Sequence, residues 1–177
     1  MRAKGFASVL AVLAVSLAAL GGDALACGDK LIVVGRGFRG RLRSGPRASI
    51  LLYADPKGSL PAALDQGHLR SDLERAGHRL RSVGTPDELK TALHTGSYDL
   101  VLADLKQVES VKIEAAQAAS KPTVLPTLFN PTDAELAAAS AQYQCLVKSP
   151  GQQKDYLTVV NEALQMRVKQ ARAERRK

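Results

Sequence analysis

The sequence predicts one open, doubly wound α/β domain on a five-stranded parallel sheet. Three observations carry that prediction. Short apolar runs recur between residues 48 and 168, each suited to a strand buried on both faces. Each run is followed by a segment of helical spacing with its own start or stop signal. Alternating strands and helices mean βα units, and right-handed crossovers then place a site at the carboxyl ends of the strands.

The elements follow in order. Ile50-Leu51-Leu52-Tyr53 is the first strand. A long loop over residues 56–67, marked by Pro56, Gly58 and Pro61, leads into a helix through Leu69, Leu73 and Ala76, with Gly77 placed to end it. Residues 80–83 are the second strand. Thr85-Pro86-Asp87-Glu88 combines a Thr cap, proline at the first helical position and Glu at the third. That helix carries Leu89, Ala92 and Leu93 and stops near Gly96. Leu100-Val101-Leu102-Ala103 is the third strand, residues 108–119 are helical, and Thr123-Val124-Leu125 is the fourth strand. Asn130-Pro131-Thr132-Asp133 repeats the cap-plus-proline start before an Ala-rich helix reaching Ser140. Residues 143–147 make the fifth strand, and a last helix aligns Leu157, Val160, Leu164 and Val168 on one stripe.

Composition narrows the class. The 177 residues are 45% apolar and 24% charged, which excludes disordered and collagen-like chains. Two cysteines exclude a disulfide scaffold and a four-cysteine zinc site. Four Tyr, three Phe and no Trp argue against an aromatic platform for nucleic acid or carbohydrate. His68, His78 and His94 have no metal-ligand spacing, and Ser59, Ser71 and Ser110 lie in no nucleophile-elbow pattern.

The two ends have distinct expectations. Residues 1–26 read as an export signal. Arg2 and Lys4 precede an apolar run over residues 6–20, Gly21-Gly22 breaks it, and Ala24-Leu25-Ala26 offers a cleavage site after Ala26. The run is shorter than the roughly 20 apolar residues of a membrane span. A periplasmic or secreted protein follows. Cleavage would leave Cys27 first, which admits a lipoprotein anchored at Cys27 as the alternative, although Ala24 stands where such signals usually carry Leu. An oxidising compartment also permits a disulfide between Cys27 and Cys145; the alternative for Cys145 is a small strand residue.

Residues 27–47 form a basic Gly/Arg arm with Arg36, Arg39, Arg41, Arg43 and Arg47, and no acid lies between Asp29 and Asp55. Within it, Leu31-Ile32-Val33-Val34 reads as a short strand. Residues 169–177 are a second basic stretch, with Lys169, Arg172, Arg175, Arg176 and Lys177. The net charge of +8 and these clusters suit an anionic envelope surface such as lipid headgroups. A solvated arm and helix end is the plainer reading. Nucleic acid is not expected, because no aromatics interleave the tail and export removes the partner.

The strands run into Asp55, Asp104, Thr127 and Lys148. Two carboxylates, a hydroxyl and an ammonium on one sheet edge suit a hard cation and a phosphoryl group. They can equally serve only to satisfy the strand ends.

Residues 48–168 resemble a response-regulator receiver domain. The resemblance rests on Ile50-Leu51-Leu52-Tyr53-Ala54-Asp55, on the helix from Leu69 to the Gly77-His78 exit, on Tyr98-Asp99-Leu100-Val101-Leu102-Ala103-Asp104-Leu105, and on the Pro122–Thr127 and Leu146-Val147-Lys148 segments. It implies a flavodoxin-like architecture, Asp104 as phospho-acceptor, Asp55 and Asp104 as Mg²⁺ ligands, and Thr127 and Lys148 as phosphoryl contacts. It also implies a protein-binding face made by the fourth helix, fifth strand and fifth helix. Departures weaken the phosphotransfer part. Ala54 replaces the first of two adjacent acids, and Leu105-Lys106-Gln107-Val108-Glu109 lacks the Pro and Gly of the family's loop. Ser149 separates Lys148 from Pro150, and Cys145 stands where many receivers carry an aromatic switch. Export would also remove the cytoplasmic phosphoryl donor. The expectation is therefore an exported receiver-like module, non-enzymatic and without a required cofactor, acting in signalling or protein interaction. A phosphorylated receiver using Mg²⁺ and a periplasmic small-ligand binder are the alternatives.

Overall fold

The computed structural model describes residues 47–174 and residue 176. The export signal, cleavage at Ala26, Cys27, the strand at Leu31 to Val34 and nearly all of the basic arm lie outside the described residues. The apolar runs are strands β1 (Ser49–Tyr53), β2 (Arg79–Val83), β3 (Leu100–Asp104), β4 (Thr123–Phe129) and β5 (Val147–Ser149). The helices are α1 (Leu60–Asp65), α2 (Leu69–Arg75), α3 (Pro86–Thr95), α4 (Val108–Gln117), α5 (Asp133–Gln142) and α6 (Gln153–Glu174). All pairings are parallel and the strand order is β2-β1-β3-β4-β5. This is the flavodoxin-like doubly wound arrangement.

Period-two alternation sorts the strand side chains onto two cores. Ile50, Leu52, Leu100, Leu102, Leu125 and Val147 face α1, α2 and α6. Leu51, Tyr53, Val101 and Ala103 face α3 and α4. Full burial of each large apolar side chain contributes about 1.5–3 kcal/mol, so these two layers dominate folding. Tyr156 joins the first layer to the loop behind it. Its hydroxyl donates to Gly67 O at 3.0 Å, accepts from Gly151 N at 2.6 Å and lies 3.3 Å from Ser149 Oγ. At the other end, Arg167 of α6 donates to Asp99 Oδ1 at 2.6 Å and Ser120 O at 2.8 Å, while Asp99 Oδ2 accepts from Ser49 N.

The helix signals act as the sequence implies. Thr85 and Glu88 form a reciprocal capping box with Pro86 at the helix start. Gly77 has φ 87°, and the bonds from Gly77 N to Glu74 O and from His78 N to Leu73 O close a Schellman motif after α2.

Five details differ from expectation. The loop over residues 56–67 contains a helix, α1, because Pro61-Ala62-Ala63-Leu64 supplies a proline at the start and good helix formers behind it. The cap of α5 is Thr132, paired with Glu135, so Pro131 precedes the cap and does not open the helix. β4 continues through Pro126 to Phe129. The bond from Thr123 N to Asp99 O turns odd-numbered amides toward β3. The ring nitrogen of Pro126 therefore points toward β5, whose ladder starts one register later at Thr127, and no bond is lost. β5 is shifted to Val147–Ser149, since Tyr143 turns instead to α4, donating to Glu109 at 3.1 Å beneath the Lys112 ammonium. Finally, α6 leaves the body of the domain after Met166 and Arg167, so Val168 is 50% exposed and residues 169–174 extend the same helix.

Candidate functional site

β3 ends in Asp104, which is only 5% exposed. It lies level with Thr127 of β4 in the register, so both side chains project on the α1/α2/α6 face. The chain after Asp104 forms a short 3₁₀ turn over Leu105–Gln107, and Asp104 Oδ1 caps that turn by accepting from Lys106 N at 3.0 Å. Oδ2 is held by the loop that follows β1. Ser59 N donates to it at 2.7 Å, and Ser59 Oγ donates to the same oxygen. Gly58 lies against this carboxylate; a Cβ there would stand 3.4 Å from Asp104 Cβ and 3.5 Å from Oδ2.

Ser59 occupies the N-cap position of α1, yet its hydroxyl makes no cap bond. It is diverted to Asp104. The electrostatic result is a stabilised anion. Burial pushes the Asp104 carboxyl up, but the Ser59 hydroxyl, the Lys106 and Ser59 amides and the Lys106 ammonium outweigh it and hold it below the usual range.

Asp55 lies just beyond β1 and is tied separately. Oδ1 accepts from Lys57 N at 2.8 Å and Oδ2 accepts from Gln107 Nε2 at 2.6 Å. Its charge, added to burial, raises the Tyr53 hydroxyl. Thr127 is fully buried, and its Oγ1 has no hydrogen-bond partner among the described residues.

Lys148 is not brought to this group. Val147 packs in the α1/α2/α6 core, so alternation sends Lys148, its neighbour in β5, to the other face. It is exposed, and its ammonium makes no ion pair among the described residues. The inserted serine explains this. The residue directly before Pro150 is Ser149, which is fully buried with its hydroxyl directed to Ala63 O at 3.4 Å. Of the quartet expected at the strand ends, Asp104 and Thr127 share a register level, Asp55 is tied through Gln107 to the turn that follows Asp104, and Lys148 lies across the sheet.

No family model, curated protein or solved structure matches the chain. Its chemistry is therefore read from the site alone.

The donor set does not fit Mg²⁺. All four carboxylate oxygens of Asp55 and Asp104 already accept protein hydrogen bonds. No cluster of three or more His, Cys, Asp or Glu side chains exists among the described residues, and the two carboxylates are tied to separate donors, Asp55 to Lys57 and Gln107 and Asp104 to Ser59 and Lys106. A phosphoryl group would likewise meet Gly58 and Ser59 before Asp104 Oδ2. Sequence reasoning did not single out Ser59 or Gln107 for this site. The available signal for Ser59 was its place immediately before Leu60-Pro61, a helix start; for Gln107 there was none, since its role depends on the 3₁₀ turn.

Cys145 is buried just before β5. Its proposed bond to Cys27 involves a residue outside the described set. Of the basic tail, Lys169, Arg172 and Arg176 are exposed. No described helix is long and apolar enough to cross a membrane.

Proposed function

We propose that this chain is an exported receiver-like module that works by binding a partner, without catalysis. The observation that carries the proposal is the closure of Asp104 by Ser59 and Gly58. A receiver acting by phosphotransfer needs an acceptor oxygen open to an incoming phosphorus and a metal beside it. Here both oxygens of Asp104 are engaged from within, and the ammonium that would meet the phosphoryl group is on the opposite face of the sheet.

The partner surface in this reading is α5, β5 and α6, the fourth-helix, fifth-strand, fifth-helix face of the resemblance, renumbered by the added α1. α5 supports it, because Ala139 is its one buried residue. A Cys27–Cys145 bond would pin the basic arm beside that face. The exposed cations at the end of α6 are suited to an anionic envelope surface.

The test is an NMR titration with beryllofluoride and Mg²⁺. The proposal expects the Asp104, Thr127 and Ser59 resonances to stay in place. Shifts at those residues that disappear in Asp104→Asn would refute it. The orphaned Thr127 hydroxyl favours one second reading, in which the Gly58-Ser59 loop opens and Asp104 is phosphorylated with Thr127 on a phosphoryl oxygen. The same titration decides between them.

A further inference from the structure

We propose that the open edge of β2 docks an extended acidic peptide, which joins the sheet as an added strand. This surface lies at the opposite edge of the sheet from β5, and the inference stands whether or not Asp104 is closed.

The backbone supplies the first argument. Arg79 N donates to Ala48 O at 2.8 Å, and Val83 O accepts from Ala54 N at 2.8 Å. Odd-numbered residues of β2 therefore pair with β1, and the N–H and C=O groups of Leu80 and Ser82 point outward. β2 is an edge strand, and those groups have no partner among the described residues. An exposed row of unpaired backbone groups is a template for strand addition.

Side chains choose the occupant. Arg79 and Arg81 are exposed and form no ion pair among the described residues. With Ser49, Leu80, Ser97 and Tyr98 they line a cleft of ≈ 300 Å³ beside the strand. Arg81 Nη1 donates to Tyr98 Oη at 3.3 Å, which draws that guanidinium over the cleft. On the other face Arg70 reaches Ser82 Oγ at 2.8 Å. Guanidinium groups thus flank the free edge on both sides.

Charge excludes two other occupants. A second copy of this edge would set Arg79 and Arg81 near their own equivalents, which disfavours pairing. The chain's own residues 30–47 contain no acid and five arginines, so they offer no carboxylate to Arg79 and Arg81. Asp87 and Glu88 sit beyond the Val83 end of β2, so the partner's carboxylates belong at the Arg79 end.

Hydrogen exchange and affinity test the proposal together, with a short peptide alternating valine and aspartate as the probe. On binding, the Leu80 and Ser82 amides should become protected, whereas Arg79, Arg81 and Val83 are already protected by β1. Arg79→Gln with Arg81→Gln should weaken binding about tenfold, the size of two exposed ion pairs lost together. Ser82→Pro removes an outward N–H without touching the β1 ladder, and should also weaken binding. If either variant misfolds, the exchange map of the unaltered protein decides alone. Unchanged exchange at Leu80 and Ser82 with the peptide bound would overturn the proposal. So would equal affinity for a valine–serine peptide, or anionic vesicles that perturb Arg79 and Arg81 while those two amides still exchange freely.

Discussion

Ser59→Ala isolates the contact that closes Asp104. The change removes the hydroxyl donor to Oδ2 and leaves the Ser59 N–H bond of 2.7 Å in place. No capping loss is added, because Ser59 Oγ does not cap α1. Hydrogen bonds to charged groups are worth about 1.5–3 kcal/mol, and that range is the expected loss at neutral pH. It should appear as a lower urea midpoint with an unchanged slope. The pH dependence gives a second, independent check. Asp104 is held below its ordinary range in the folded protein. A depressed carboxylate contributes stability that is complete above its unfolded value and is lost as pH falls through its folded value. Ser59→Ala raises the folded value, so the gap between variant and parent should be full at neutral pH and should narrow in acid. Urea unfolding at several pH values, with carboxyl NMR for Asp104, measures both. An unmoved Asp104 titration with a loss under about 0.5 kcal/mol, the ordinary surface range, would refute the reasoning.

Other predictions concern the frame that holds the site. Tyr156→Phe leaves Gly67 O without its donor in the interior and removes the acceptor of Gly151 N, and should cost about 1–3 kcal/mol by chemical denaturation. Gly67→Ala drives a Cβ into Ser149 Oγ and Ala63 O, and should cost more than about 3 kcal/mol, seen as a large fall in Tm. His78 is buried with Nδ1 accepting from Ala48 N, and burial lowers its pKa. Its folded form binds fewer protons than the unfolded chain, so stability should be complete above about pH 6.5 and decline as pH falls through the folded value. His78→Gln should flatten that part of the urea-midpoint profile. Thr85→Ala breaks the capping box of α3 and should cost about 1 kcal/mol.

Much of the fold was legible because its signals are local. The Thr85 and Glu88 box, the Gly77 exit and the apolar runs of β1 and β3 each depend on a few neighbouring residues, and each appears where the sequence places it. What was not legible depends on register. Pro126 argues against a central strand until one knows that β5 begins a residue too late to need its N–H. Residues 143–147 are apolar enough for a strand, but Tyr143 has a competing partner on α4. Shifting β5 to Val147–Ser149 then puts Lys148 across the sheet from Asp104. The site was half legible for the same reason. Asp104 and Thr127 share a register level, as their positions at the ends of two runs imply. Ser59 reaches Asp104 across 45 residues of sequence through a loop whose path no periodicity encodes.

Acyl phosphate formation tests the closed acceptor most directly. The protein would be incubated with radiolabelled acetyl phosphate and Mg²⁺, beside Asp104→Asn. The account predicts no label above that control. Stoichiometric label on the unaltered protein, absent from Asp104→Asn, would contradict it and make Asp104 a working phospho-acceptor.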